Sequence, residues 1–232
     1  GRPDDRVVDK LLTLSNCCKF QIHNYFPPAI KPFVFNLASE HVVIADHCLN
    51  HSFQSIDLAA QLGSKIYSFH AGFLFDPSVK DLGKQMNIRN LQQRAHSKKL
   101  FIDRVNQISS YAENKGVKIL LENNVISEAN FKAFGCNPFL MTDHSEAIEI
   151  MSATDDNVAL LVDVAHLKVS SDSEGFCKNQ YLEMTSEFTV AYHLSDNDGK
   201  TDSNEAITID SWFWPYLHKD LNYYSLEVYT QD

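Results

Sequence analysis

Six side chains of ligand type recur along the 232-residue chain, each at or near the end of a short apolar run: His23, His70, Glu122, Asp163, His193 and Glu227. Their separations are 47, 52, 41, 30 and 34 residues. Singly, each has a bland explanation. A histidine can sit in a core with its ring satisfied, a glutamate can end a strand at the surface, and Asp163 can cap a following helix. Six together are harder to explain that way, because buried, unpaired carboxylates are costly. A divalent cation removes that cost by pairing the carboxylates, and imidazoles complete its shell. The pattern therefore reads as a metal site of mixed carboxylate and imidazole ligands, which Mn, Mg, Co or Zn would suit.

The elements that must position these residues alternate. Residues 4–15 carry an apolar stripe at helical spacing. Phe20–Phe26 alternates as a strand does and is stopped by Pro27 and Pro28. Helical spacing returns over 39–62, ending at Gly63, and over 87–115, ending at Gly116. Strands are predicted at Ile66–His70, Val117–Glu122 and Val158–Asp163. Helices are predicted over 143–153, 178–187 and 205–219, the last containing Trp212, Trp214 and a kinking Pro215. An apolar run leads into His193 and opens into the polar segment SDNDGKTDSN, and Tyr224–Tyr229 reads as a strand with Glu227 inside it. LAAQLGSKIYSFHAG and YAENKGVKILLENN share one form: helix, Gly, Lys, apolar strand, ligand-type side chain. Strand alternating with helix at this spacing predicts an α/β fold with a parallel sheet, whose strand ends lie on one face. No linker or low-complexity segment divides it, so residues 1–232 read as a single domain.

Composition narrows the function classes. The net charge of −10 disfavours a polyanionic partner such as DNA. No apolar run is long enough for a membrane span, and the polar N-terminus is no signal peptide. Five cysteines without a C-x-x-C pair suggest reduced thiols and a cytoplasmic location.

SFHAG, LLENN, LVDVAH, YHLSDNDG and SLEVY, in that order, resemble the xylose isomerase-like TIM barrel superfamily, which contains sugar isomerases and epimerases and the endonuclease IV family. The resemblance spans about Phe20 to Tyr229. It implies a TIM (β/α)8-type barrel in which only the last six strands have counterparts, the first strand, helix and second strand apparently lacking. The open edges would then call for a covering partner, such as a homo-oligomer. In isomerase and epimerase members the resemblance implies one metal held by Glu122, Asp163, His193 and Glu227. The two glutamates transfer protons and His166 contacts substrate, with His70 and His23 beside it. In endonuclease members it implies that His23, His70, His166 and Asp202 join a larger zinc cluster. That pattern places a His two residues after Asp202, where this chain has Asn204. The Arg that some ketose epimerases carry shortly after the His193 position is absent; Gly199 and Lys200 stand near it. The leading expectation is a metal-dependent isomerase or epimerase of a sugar or sugar phosphate. Trp212, Trp214 and Phe26 are candidate apolar walls, and Lys200 a candidate anion contact. The alternative is an endonuclease IV-like zinc phosphodiesterase acting on DNA, and a third class is a non-enzymatic binding domain.

Overall fold

The computed structural model describes residues 5–86, 90–221 and 223–229. Its six strands are β1 (Ile22–His23), β2 (Ile66–His70), β3 (Lys118–Glu122), β4 (Val158–Asp163), β5 (Thr189–Leu194) and β6 (Tyr223–Leu226). They form one parallel sheet in sequence order, two strands fewer than a closed (β/α)8 barrel. The helices are α1 (Asp5–Leu14), α2 (Val42–Gln61), α3 (Arg94–Glu113), α4 (Glu128–Phe134), α5 (His144–Ser152), α6 (Val164–Glu174) and α7 (Lys178–Met184).

Side-chain parity divides the strands into two faces. Tyr67, Phe69, Ile119, Leu121, Leu160 and Val162 join Ile56, Phe101, Val105, Ile108 and Ile150 of the helices in the main core. The opposite parity gives an inner cluster of strand residues: Leu120, Ala159, Leu161 and Ala191, with Ile66, Val190 and Tyr223 against it. Counting by twos along this inner face reaches Glu122 from Leu120, Asp163 from Leu161 and His193 from Ala191. The candidate ligands are thus the next inner layer, at the C-terminal end of the sheet.

The sheet is strongly curled. In a flat sheet, strands four positions apart lie roughly 19 Å from one another. Yet the rings of His23 on β1 and His193 on β5 have centroids only 5.0 Å apart. Register completes the placement, setting His70 opposite Glu122 and Asp163 opposite His193.

The structure departs from the sequence reading in several elements. The strand expected over Phe20–Phe26 is only Ile22–His23, because Asn24 turns to a left-handed φ of 50°. The helix expected over 87–115 begins at Arg94, and residues 87–89 lie outside the described residues. The helix expected over 205–219 is a single 3-10 turn, Trp214–Tyr216. There Ser211 Oγ accepts from the Thr208 N–H and Trp214 Nε1 donates to the Thr208 carbonyl, so side chains take the backbone groups a helix would need. The helix α4 was not expected, and α6 was foreseen only as a helix that Asp163 can cap. Glu227 stands one residue beyond β6 rather than inside it.

Candidate metal centre

Glu122 is the hub. It is fully buried at the end of β3 and draws ligand-type side chains from four other elements. Its Oε1 accepts from His193 Nδ1 at 3.0 Å, and its Oε2 lies 3.2 Å from His70 Nδ1 and 3.5 Å from His23 Nε2. His193 Nδ1 also lies 3.0 Å from Glu227 Oε1 and 4.0 Å from Asp163 Oδ2. On the other side, His166 Nε2 lies 3.2 Å from Asp202 Oδ2. Three overlapping triads result: His23, Glu122 and His193; His70, Glu122 and His166; and Asp163, His193 and Glu227. The ligand-type residues His23, His70, Glu122, Asp163, His166, His193, Asp202 and Glu227 are therefore brought to one place.

Glu122 Oε2, Asp163 Oδ2 and His70 Nδ1 are buried and make no hydrogen bond. Glu122 Oε2 and His70 Nδ1 are close enough to bond but not aligned to do so. Buried polar atoms left this way are rare and call for an unseen partner. Carboxylate oxygens and imidazole nitrogens at this spacing fit a divalent cation.

The supporting contacts fix ring orientation. His23 Nδ1 meets Ser68 Oγ at 2.9 Å, leaving Nε2 toward Glu122. His166 Nδ1 faces the Asn123 carbonyl at 3.0 Å, which requires an N–H there and turns Nε2 to Asp202. Tyr223 Oη reaches His193 Nε2 at 3.5 Å. The Asn123 side chain clamps both backbone groups of Asp163, accepting from its N–H and donating to its carbonyl. Such contacts orient metal ligands and set their basicity. Asp163 Oδ1 accepts from the N–H groups of Ala165 and His166 and so caps α6, while Oδ2 points to the centre. Both readings of Asp163 hold at once. Ser68, Asn123 and Tyr223 carry no sequence signal beyond their nearness to the ligands.

Charge in the centre is finely opposed. Burial would raise the Glu122 carboxyl, but His70, His193 and His23 together hold it well below its usual range. Burial, joined by Glu122, lifts Asp163 to about 7. Burial lowers His70 to about 4 and also depresses His23. His193 goes the other way: against the effect of burial, Glu122 and Glu227 hold it protonated up to about 12. Asp163 and Asp202 likewise outweigh burial at His166 and raise it well above the ordinary value.

The loop after β5 sorts its acids. Asp196 binds Lys168 Nζ and Ser211 Oγ, and Asp198 accepts from the N–H groups of Lys200 and Thr201, so both serve the loop itself. Gly199 has a φ of 78°, and a Cβ there would collide with the Asp172 carboxylate. Asn204 is buried and its Oδ1 accepts from Ser195 Oγ. Only Asp202 of this loop's acids meets a candidate ligand among the described residues.

A cavity of about 530 Å³ opens beside His70, His166 and Asp202. Its aromatic lining comes from Tyr25, Phe35, Phe73 and Phe139, not from the expected Trp212, Trp214 or Phe26. Lys200 does line it.

A parallel, curled α/β sheet with candidate carboxylate and imidazole ligands at its C-terminal end defines a barrel-type α/β fold. Residues 16–223 match the family model of the xylose isomerase-like TIM barrel, and the chain belongs to that family. No curated protein sequence matches it. Among solved structures it is similar to a D-tagatose 3-epimerase-like protein (17% identity, TM-score 0.69, 96% of this chain and 76% of that one). It is also similar to a Thermus thermophilus protein soaked with zinc chloride (19% identity, TM-score 0.62, 98% and 81%). A third is the 3-keto-D-glucoside 4-epimerase of E. coli (10% identity, TM-score 0.62, 97% and 81%). At these identities the likeness is one of fold.

Proposed function

We propose that residues 1–232 work as one domain, a metal-dependent isomerase or epimerase of a sugar or sugar phosphate. One observation carries this reading: Glu122 and Glu227 each stand 3.0 Å from the same nitrogen of His193, with Asp163 beside them. Glu122, Asp163, His193 and Glu227 would hold the cation, whether Mn, Mg, Co or Zn. Bound there, it would polarise a substrate carbonyl and its neighbouring hydroxyl and acidify the intervening C–H. Glu122 and Glu227 remove and return that proton. They reach the centre from β3 and from the end of β6, so each can address the substrate from its own side. His70 and His166 line the cavity and would hydrogen-bond substrate oxygens where it opens. His23 supports the same region through Nε2. The epimerases among the fold neighbours support this direction.

The test is isotope exchange. Mn2+-loaded protein incubated with a panel of aldoses and ketoses in deuterated water is expected to label the carbon next to the carbonyl. Glu122→Gln and Glu227→Gln should each lower labelling by about 100-fold or more. A metal-loaded protein that labels nothing across the panel would sink the reading.

A second reading rests on the triad of His70, Glu122 and His166, with Asp202 beside it. These could hold further zinc ions, as a phosphodiesterase of the endonuclease IV type would need. The net charge of −10 and the engaged side chain of Asn204 weigh against a DNA substrate. Metal content decides between them: one ion per chain supports the isomerase, two or three the phosphodiesterase.

A further inference from the structure

The cavity beside the centre has two kinds of lining. His70, His166 and Asp202 bring it the site's polar groups. Three other polar side chains on its wall are already spent on backbone. Asn124 donates to the carbonyls of Gly72 and Leu140. Asn130 accepts from the Met86 N–H and donates to the Lys84 carbonyl. Ser127 Oγ caps α4. Around them the wall offers a ligand the apolar surface of Val34, Phe35, Phe73, Met86, Val125 and Phe139.

This wall is built, not loose. Phe73 and Phe139 meet edge to face at 5.2 Å, and their backbones pair across an isolated bridge. Arg94 fastens the Phe139 segment, binding both oxygens of Glu146 at 2.8 Å and the Phe139 carbonyl. Asn36 fastens the Phe73 segment, donating to the carbonyls of Phe73 and Phe75. The volume of about 530 Å³ lies in the range of pockets that enclose drug-sized ligands. Pressing hydroxyl groups against such a wall would strip them of water and give no partner in return.

We infer that the substrate is a polyhydroxy carbonyl compound bearing an apolar substituent, an aryl or alkyl group, which lies against the apolar wall of this cavity. The inference rests on the isomerase reading of the metal site and adds what the apolar wall selects. The polyhydroxy part lies by His70 and His166, and the substituent lies between Val125, Phe73 and Phe139.

Calorimetric titration of the Mn2+-loaded protein tests it with four probes: D-fructose, its 6-O-benzyl ether, its 6-O-glucosyl derivative and its 6-phosphate. The benzyl ether is expected to bind at least about tenfold more tightly than D-fructose, and more tightly than the glucosyl and phosphate derivatives. Val125→Asn should collapse that ratio within one and the same protein preparation. The inference is overturned if the benzyl ether binds no better than a polar probe, if none of the four binds, or if the ratio survives Val125→Asn. Tighter binding of the 6-phosphate would assign the selectivity to the exposed Lys84 and Lys200, which also line the cavity, and would overturn it too. Deuterium labelling run in parallel separates the two readings. Labelling of D-fructose without a benzyl preference removes the inference and leaves the isomerase standing; a benzyl preference without labelling of any probe does the reverse.

Discussion

His193 holds the charge balance of the centre. Its Nδ1 is shared among Glu122, Glu227 and Asp163, and the two glutamates keep it protonated up to about 12. A divalent cation in its place satisfies the same carboxylates, so metal and proton compete for one position. Asp163 adds a second proton-linked step. Its folded value of about 7 lies far above that of the unfolded chain. A raised acid stabilises the fold below its unfolded pKa, and the contribution is lost as pH rises through about 7. His70, lowered to about 4, works oppositely: its contribution is present above the unfolded histidine value and lost as pH falls through about 4. The gain in Tm on adding Mn2+ should therefore grow between about pH 5.5 and 8, as Asp163 gives up its proton. At metal 100-fold above Kd the gain should reach about 2.7 kcal/mol, roughly 5–10 °C. A gain that shrinks with rising pH would contradict this. Asp163→Asn keeps the Oδ1 acceptor that caps α6 but removes the ionisable oxygen. It should raise metal-free stability at pH 8, weaken Mn2+ binding, and show both changes in thermal melts with and without metal.

At the scale of elements, the site depends on how strand ends are clamped. Asn123 ties β3 to β4 by bonding both backbone groups of Asp163. Asn123→Ala leaves those buried groups unpaired. It is expected to cost about 1–3 kcal/mol in urea unfolding and about 10–100-fold in metal affinity. Loss of stability with unchanged affinity would show that the clamp does not orient the ligands. The strand ends were legible because parity and register are short-range properties of sequence: Leu120 and Glu122, or Leu161 and Asp163, share a face whatever the loops do. Other features were less legible. The 205–219 segment has helical spacing, but Ser211 and Thr208 claim its backbone groups. α6 was legible only through its cap, because it starts immediately after β4, with one residue serving as both strand end and cap. The cavity wall was hidden because Phe73 and Phe139 lie in loops without periodicity and meet only through a bridge between distant segments.

At the scale of the molecule, the sheet is open, yet its centre joins residues from both edges: His23 from β1 and Glu227 from just beyond β6. Among the described residues, both outer edges lack a neighbouring strand. Bound metal, held through Glu227, should therefore fasten the β6 edge. Mn2+ is expected to slow amide hydrogen exchange at β6 more than at β3 and β4, which are buried in the middle of the sheet. Uniform protection across all six strands would contradict this. The curl that sets His23 against His193 also has a kinetic side. Neighbouring strands can pair as soon as each helix between them has folded. The centre, in contrast, must close a span running from the first strand to the end of the last, which carries the largest loop entropy in the fold. It should be the last part to assemble during folding. A chain still emerging from the ribosome would hold most of its core before it could bind an ion, and catalytic competence would mark completion of the fold.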